Sequence, residues 1–534
     1  VVVAVLGGAF RFGMRQLLNG ISRRIETDLR DDFFRHLLRL DASFFGATRT
    51  GDLMSRATND TLAVRMAAGP AIMYTVNTVT SFVLALGFML WISPRLTLFA
   101  MIPLVVLPPV VLGFGTIIHE RFEEIQEQFS SLSTFVQENL TGVRLIRAYT
   151  QEEEQARQFD AHNADYRSRN MGLVLRAGAF HPVLSVISGT AMVLVTGLGA
   201  LEVMAGRITL GDFVAFGFYL TLLVWPMIAL GWVVNLYQRG AASMGRLNRI
   251  FRTEPKIDVP EAPVPLDQAR GSVTFEEVRF RYPGTERTVL DSIDFSVEAG
   301  ETVAIVGPTG AGKSTLLALL TRLYDPTEGR ILLDGIPLDR IDPADLRSRI
   351  GMVPQDAFLF SDTLAGNIAL GIRGEGKDRA PPETIDGAVR ASAEVAQLHD
   401  QIVDFPKAYG TILGERGINL SGGQKQRATL ARALARDPLI LILDDALSAV
   451  DTHTEAAILA DLRNVARRRT AFIVSHRVSA VMDADRVLVL EDGRIVQQGT
   501  HEELIRQEGR TYERLLRRQL LEEDLAATPA AVGD

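Results

Sequence analysis

The sequence predicts an α-helical membrane domain fused to an α/β nucleotide-binding domain, and three observations carry that reading. Four long uncharged apolar stretches occupy the first half of the chain. A proline- and acid-rich segment, TEPKIDVPEAPVPLDQARG at 253–271, separates them from the second half. There, the loop Gly307-Pro308-Thr309-Gly310-Ala311-Gly312-Lys313-Ser314 lies between a β-type and a helix-type run, and the apolar run Leu441-Ile442-Leu443 ends in Asp444 and Asp445. The expected domains are therefore 1–252 in the membrane, 253–271 as a linker and 272–520 for the nucleotide. The acidic, alanine-rich stretch 521–534 reads as a disordered tail.

Mean hydropathy is +0.14 although 22% of residues are charged. The two values agree only because apolar and charged residues are segregated along the chain. A net charge of −8 gives no reason to expect nucleic acid as a partner. With no cysteine, disulfides, thiolate metal sites and a thiol nucleophile are excluded. The sequence begins mid-hydrophobic at Val1, so one crossing is expected to be missing ahead of it.

The four stretches run from Met66 to Ile92, Leu96 to Ile118, Ala177 to Leu201 and Phe213 to Gln238. Each meets the length of about 20 apolar residues that a bilayer demands. They read as crossings rather than as the buried bundle of a large soluble protein. Val1 to Leu18 is a further partial crossing, with Arg11 and Arg15 placed either to meet an anionic head group or to snorkel to the interface. Links alternate in length: Ser93-Pro94-Arg95 and Glu202 to Asp212 are short, whereas Ser22 to Arg65 and His119 to Arg176 are long, charged and helical in pattern. The long links hold most of the arginine, which puts them in the cytoplasm. Pro103, Pro108, Pro109, Pro182 and Pro226 lie within spans, as kinks or as packing features. No carboxylate lies at membrane depth, which argues against proton coupling and for an apolar or amphipathic cargo.

In the second half, Thr302 to Val306 reads as a strand and Ser314 to Leu323 as a helix, the context a phosphate-cradling glycine loop requires. Backbone N–H groups of such a loop wrap phosphates at a helix N-terminus. Lys313 adds a point charge for the β- and γ-phosphates, and the Ser314 hydroxyl can ligate Mg²⁺. Ser421-Gly422-Gly423-Gln424 has capping-box spacing ahead of a helix, and its glycines leave N–H groups open to an anion. Gln355 comes after a strand-like run, where its amide can reach a metal or a water. His476 comes after the run Ala471 to Val474; alone it reads as a structural histidine sooner than as a catalytic one. Tyr282 offers a ring for stacking a base, or for the core.

In this order these residues resemble the ATP-binding cassette family over nearly the whole chain. The resemblance implies that Tyr282 stacks adenine, that Gly307 to Ser314 and Thr315 form the Walker A loop, that Gln355 is the Q-loop residue and that Ser421 to Gln424 is the family signature. It makes Asp444 the metal-binding Walker B acid, Ser448 to Asp451 the D-loop and His476 the switch histidine. Gly414-Glu415-Arg416-Gly417 fits the loop facing the membrane domain. Arg49 to Leu53 with Ala57 to Asp60, and Glu138 to Ala148, resemble the two intracellular loops of exporters. Six crossings, with the first missing here, are implied ahead of a nucleotide domain that carries a helical subdomain, in the bacterial inner membrane with the ATP domain cytoplasmic. ATP and Mg²⁺ are the implied cofactors.

One departure matters. The family's catalytic glutamate is replaced by Asp445, one methylene shorter. A misplacement of about 1 Å can cost roughly 10²-fold in rate. Because each ATP in this family lies between one chain's Walker loops and the other's signature, the expectation is a heterodimer. This chain then binds ATP, hydrolyses it slowly, and lends Ser421 to Gln424 to a partner subunit. A homodimer using Asp445 as base and a lipid flippase are the alternatives.

Overall fold

The computed structural model describes residues 1–372, 382–414, 417, 419–466, 469–475 and 481–527. It divides into two compact units, one of Val1–Arg39 with Arg49–Thr253 and one of Leu40–Thr48 with Glu254–Asp534.

The first unit is helical. Helix α1 (Val2–Arg39) is followed, after α2 (Ala42–Ala47) of the second unit, by α3 (Thr50–Ser55), α4 (Thr61–Met66) and α5 (Ile72–Ile92). Wider π-type turns at Arg56–Asp60 and Ala67–Ala71 join these last three into one rod. Then come α6 (Pro94–Leu104), α7 (Leu107–Thr141), α8 (Val143–Ala148), α9 (Glu152–Met204) and α10 (Leu210–Phe251). Ser93 turns the chain between α5 and α6 and its hydroxyl accepts from Leu96 N at 3.3 Å, with Pro94 preset at the first helical position. Thr209 and Asp212 form a capping box that starts α10. Both short links are therefore tight turns, and the long charged links are mostly helix, as expected. The proline cluster Pro103 to Pro109 breaks the rod at Val105 and Val106, whereas Pro182 and Pro226 sit inside unbroken helices.

The packing is that of helices in lipid. Among the described residues four helices are long and apolar enough to cross a membrane, yet only 17% to 33% of each apolar window is buried within the chain. The rest is apolar surface that water would penalise and a bilayer or neighbouring helices would not. Close approaches use small residues: a Cβ on Gly240 of α10 would lie 2.4 Å from that of Ala67. Arg246 of α10 pairs with the buried Asp60 and accepts, through its carbonyl, a bond from Arg56 at 3.1 Å.

In the second unit α2 keeps company with residues from the far side of the membrane helices in sequence. The Asp41 carboxylate caps Ser43 N at 2.9 Å and also accepts from Lys256 N at 2.7 Å. Leu40–Thr48, inside the stretch 1–252 expected for the membrane domain, groups with this second unit. A single carboxylate bridging 215 positions leaves no local pattern to read.

The nucleotide half contains β1 (Val273–Arg281), β2 (Thr288–Val297), β3 (Thr302–Val306), α11 (Lys313–Leu320), β4 (Glu328–Leu333), β5 (Ile336–Pro337), α12 (Pro343–Ser348) and β6 (Ile350–Val353). Next are α13 (Leu364–Ala369), α14 (Pro382–Val395), α15 (His399–Val403), α16 (Gly422–Ala435), β7 (Ile440–Asp444), α17 (Thr452–Ala466), β8 (Thr470–Val474), β9 (Arg486–Glu491), β10 (Arg494–Gly499), α18 (His501–Ile505) and α19 (Thr511–Ala527). One sheet has the order β2-β1-β4-β5, all antiparallel; the other, β10-β9-β3-β8-β7-β6, is parallel except at β10. Strands β3, β7 and β8 read as unbroken apolar runs because both faces are covered. Residues 253–271 form no helix or strand but are docked: Leu266 is buried, its N–H donates to Asp345, and Val264 N donates to Arg340 O at 2.9 Å. Helix α19 continues to Ala527, into the stretch expected to be a disordered tail; leucine, arginine, glutamate and alanine favour helix strongly enough to extend it.

Asp334 pins the end of that docked segment. Its carboxylate accepts from Arg270 N, Gly271 N, Ser272 N and Ser272 Oγ at 2.7 to 3.1 Å. Burial would push the carboxyl up, but these donors outweigh it and hold it below the usual carboxylate range. A lowered folded pKa stabilises the fold above the unfolded value near pH 4 and loses that contribution as pH falls. Asp334→Ala is therefore expected to lower the thermal midpoint of the detergent-solubilised protein at about pH 7. The difference from the parent should shrink towards about pH 3; an equal gap at both pH values would contradict the assignment.

Candidate functional site: a phosphate loop and a separate helix cap

The glycine loop is shaped by its surroundings. Gly307 has φ +154°, and a Cβ there would lie 2.0 Å from Leu490 O. Gly312 has φ +105° and would meet Leu290 at 2.7 Å. Neither position accepts a side chain, so the loop folds tightly over β3 and opens α11 at Lys313. Lys313 is buried and its ammonium donates to Gly307 O at 2.8 Å and Pro308 O at 3.0 Å. Burial pulls its pKa down, while Asp444 and Asp445 oppose the fall. Ala311 is buried, its N–H bonded to Pro308 O at 3.2 Å.

A cavity of about 250 Å³ lies over this loop. Thr309, Gly310, Gly312, Lys313, Ser314, Thr315, Gln355, Asp444 and Asp445 line it, together with Val289 and Val474. Eight of the sequence-predicted loop and acid positions and Gln355 thus share one space. Val289 and Val474 were missed because apolar residues at strand ends carry no chemical signature. The donors that Ser314, Gln355 and Asp444 bring to this space are hydroxyl, amide and carboxylate oxygens, the hard set a small divalent cation prefers. Among the described residues no cluster of three His, Asp or Glu side chains makes a protein-only cage.

Tyr282 does not line the cavity but is tied to it, its hydroxyl 3.0 Å from Thr315 Oγ1. The ring is half-buried, edge-on to Phe280 at 4.9 Å and to Tyr324 at 5.3 Å. His476 lies outside the described residues, as do Glu415 and Arg416.

Asp445 is a non-glycine residue at φ +48° just past β7. Its N–H donates to Val474 O at 2.8 Å, and its carbonyl accepts from Ser448 Oγ at 3.0 Å. The backbone is clamped on both sides. From a backbone held there, an aspartate carboxyl falls short of a glutamate's by the roughly 1.5 Å of one C–C bond.

Ser421 and Gln424 do not line that cavity. They cap α16 reciprocally: Ser421 Oγ accepts from Gln424 N at 3.2 Å and Gln424 Oε1 accepts from Ser421 N at 3.0 Å. Gly423 admits no side chain, since a Cβ would lie 2.8 Å from Ala449 O. Gln426, which sequence did not single out, joins α16 to the 448–451 loop through Ser448 Oγ at 2.9 Å and Ala449 N at 2.9 Å. One chain therefore carries the glycine loop over its cavity and, apart from it, a second glycine-opened helix N-terminus, the kind of terminus whose free N–H groups suit an anion.

A strand–glycine loop–helix with an acid-tipped strand two places along the same sheet, fused to long apolar helices, defines a membrane-bound nucleotide triphosphatase. Residues 1–227 match the family described as the ABC transporter transmembrane region, and residues 290–448 match the ABC transporter family. The chain is 40% identical over 530 residues to the multidrug resistance-like ATP-binding protein MdlA of Escherichia coli (strain K12), covering 99% of this chain and 88% of that protein. It is 40% identical over 512 residues to the probable multidrug resistance ABC transporter ATP-binding/permease protein YheI of Bacillus subtilis (strain 168), covering 95% and 85%. The ATP-dependent lipid A-core flippase of Photobacterium profundum is 34% identical over 514 residues, covering 95% and 85%. A bacterial Atm1-family ABC exporter solved with ATP bound superposes with a TM-score of 0.76 at 30% identity, over 97% of this chain and 90% of that one. This chain belongs to the ABC transporter family, as an exporter whose cassette binds ATP and couples its hydrolysis to transport. Its four apolar helices and exporter fold agree with an inner-membrane location and a cytoplasmic cassette.

Proposed function

We propose that this chain exports amphipathic or hydrophobic small molecules as one half of a heterodimer, and that its own ATP site is the slow one. The observation that carries this reading is the clamped Asp445. It lines the ATP cavity with a side chain one methylene short, on a backbone that hydrogen bonds hold at both ends. The signature, by contrast, is intact and lies apart from this chain's own cavity. A partner with a full-length glutamate would supply the fast site, completed by Ser421 to Gln424 from this chain.

Within its own site each residue has a stated task. The loop N–H groups and Lys313 bind and orient the phosphates, Tyr282 receives the base and Gln355 aims a water. Ser314, Asp444 and Gln355 would hold Mg²⁺, which would supply neutralisation of phosphate charge. By the family resemblance, His476 is the switch histidine. ATP held by both chains closes the cassettes and turns the apolar helices outward; hydrolysis at the fast site resets them. Small-molecule cargo is favoured by uncharged spans and by the names of two relatives. Lipid transport is the second reading, favoured by the relative named as a lipid A-core flippase.

Lys313→Ala tests the asymmetry. It is expected to strip nucleotide from this chain while the assembled transporter keeps at least roughly a tenth of its ATPase rate, because the fast site retains its own lysine. Photolabelling of each subunit with an azido nucleotide, beside phosphate release, measures both. Complete loss of turnover would sink the asymmetric reading.

A further inference from the structure

We propose that Gln401 is a positioning residue for the signature, setting the orientation of the Gln424 side-chain amide and through it the cap at Ser421. The inference rests on the reading that this signature completes a partner's ATP site. It goes beyond that reading by adding a residue from α15, outside every motif of the cassette.

The argument is one of donors and acceptors. Arg427 is buried, and a guanidinium can only donate. Its Nη2 reaches Gln401 Oε1 at 2.8 Å, while Nη1 reaches Gln397 O. Gln401 must therefore present its oxygen, not its NH₂, to this corner. The same oxygen faces Gln424 at 3.1 Å, so Gln424 must present its Nε2 there. That leaves Gln424 Oε1 on the other side, where it accepts from Ser421 N at 3.0 Å. An amide flipped the other way would set NH₂ against N–H and break the box. Ser421 Oγ already accepts from Gln424 N, so its proton is free to donate outward, towards an anion. A buried arginine thus fixes the polarity of two successive amides, and the last of them holds the serine that faces the phosphate.

Nothing in the sequence flags Gln401, because its role exists only where α15 meets the start of α16. It is exposed and contributes nothing to the core, so truncating its amide leaves the fold intact. Arg427 also keeps its bond to Gln397 O when Gln401 is replaced.

The test compares Gln401→Leu, which removes the acceptor, with Gln401→Glu, which keeps an oxygen for both donors. Both are measured in the assembled transporter, with Ser421→Arg as control. Gln401→Leu is expected to lower kcat about fivefold, the effect of one hydrogen bond, with ATP affinity at the Walker loops within about twofold of the parent. Gln401→Glu is expected to keep more than about half of kcat, a rescue that a purely steric role would not give. A parental rate in Gln401→Leu, or an equal fall in both variants, overturns the inference. If Ser421→Arg stops turnover while Gln401→Leu does not, only the inference falls. If Ser421→Arg turns over normally, the signature is not in use and both readings fall.

Discussion

Ser421→Arg is expected to cut ATP turnover of the assembled transporter by at least about 10²-fold, the scale on which loss of a donor to a developing oxyanion is felt. Three effects act together. Arginine cannot make the cap that Ser421 Oγ gives to Gln424 N, a loss of about 1 kcal/mol at the start of α16. A cation at a helix N-terminus opposes the macrodipole. The hydroxyl donor to phosphate is gone, and a long side chain stands where the partner's nucleotide must dock. None of this touches the cavity over Gly307 to Ser314, because Ser421 does not line it. Nucleotide binding to this chain's Walker loop should therefore survive, which separates loss of function from loss of fold. Phosphate release with parallel nucleotide labelling gives both readouts. Turnover near the parental rate would mean that no partner site uses this signature.

The contrast between Ser421 and Gln401 marks how much of the site the sequence discloses. Gly307 to Ser314, Asp444 and the Ser421–Gln424 box are legible because each is a run of a few residues whose chemistry depends on local backbone shape. The structure brings Thr309, Gly310, Gly312, Lys313 and Ser314 of the loop into one cavity with Asp444 and forms the third as a reciprocal cap. Tyr282 was legible by type, though its bond to Thr315 was not. Gln401, Gln426 and Arg427 act across tertiary contacts between elements far apart in the chain, and nothing local distinguishes them from solvated polar residues. The same limit explains the fold. Span lengths and the two tight turns follow from composition and from caps at Ser93 and Thr209. Leu40–Thr48 groups with the second unit, where the Asp41 carboxylate reaches Lys256 N across 215 positions of sequence. Periodicity also gave no sign of the wide turns at Arg56–Asp60 and Ala67–Ala71, since a π-turn adds a residue to a ring without changing the composition.

Asp445→Glu is expected to speed ATP cleavage at this chain's own site by about 10²-fold, the return for moving a base by about 1 Å into line. The reasoning depends on the clamp. Asp445 sits at φ +48° with its N–H on Val474 O and its carbonyl on Ser448 Oγ, so the backbone cannot creep towards the γ-phosphate to compensate for a short side chain. A glutamate on the same clamp has the extra reach, and Lys313, Ser314, Gln355 and Asp444 already stand around the same space. The effect belongs to the chemical step and not to binding, because neither carboxylate is needed to hold the loop's phosphates. Single-turnover chase of γ-labelled ATP retained by the assembled transporter is the measurement. In the parent the retained nucleotide should stay largely as ATP; in Asp445→Glu it should convert to ADP at the faster rate. A parent that already converts all its retained nucleotide at the turnover rate would mean that Asp445 is a competent base. The homodimeric exporter would then be the better description, and the slow-site reading would fall with the heterodimer built on it.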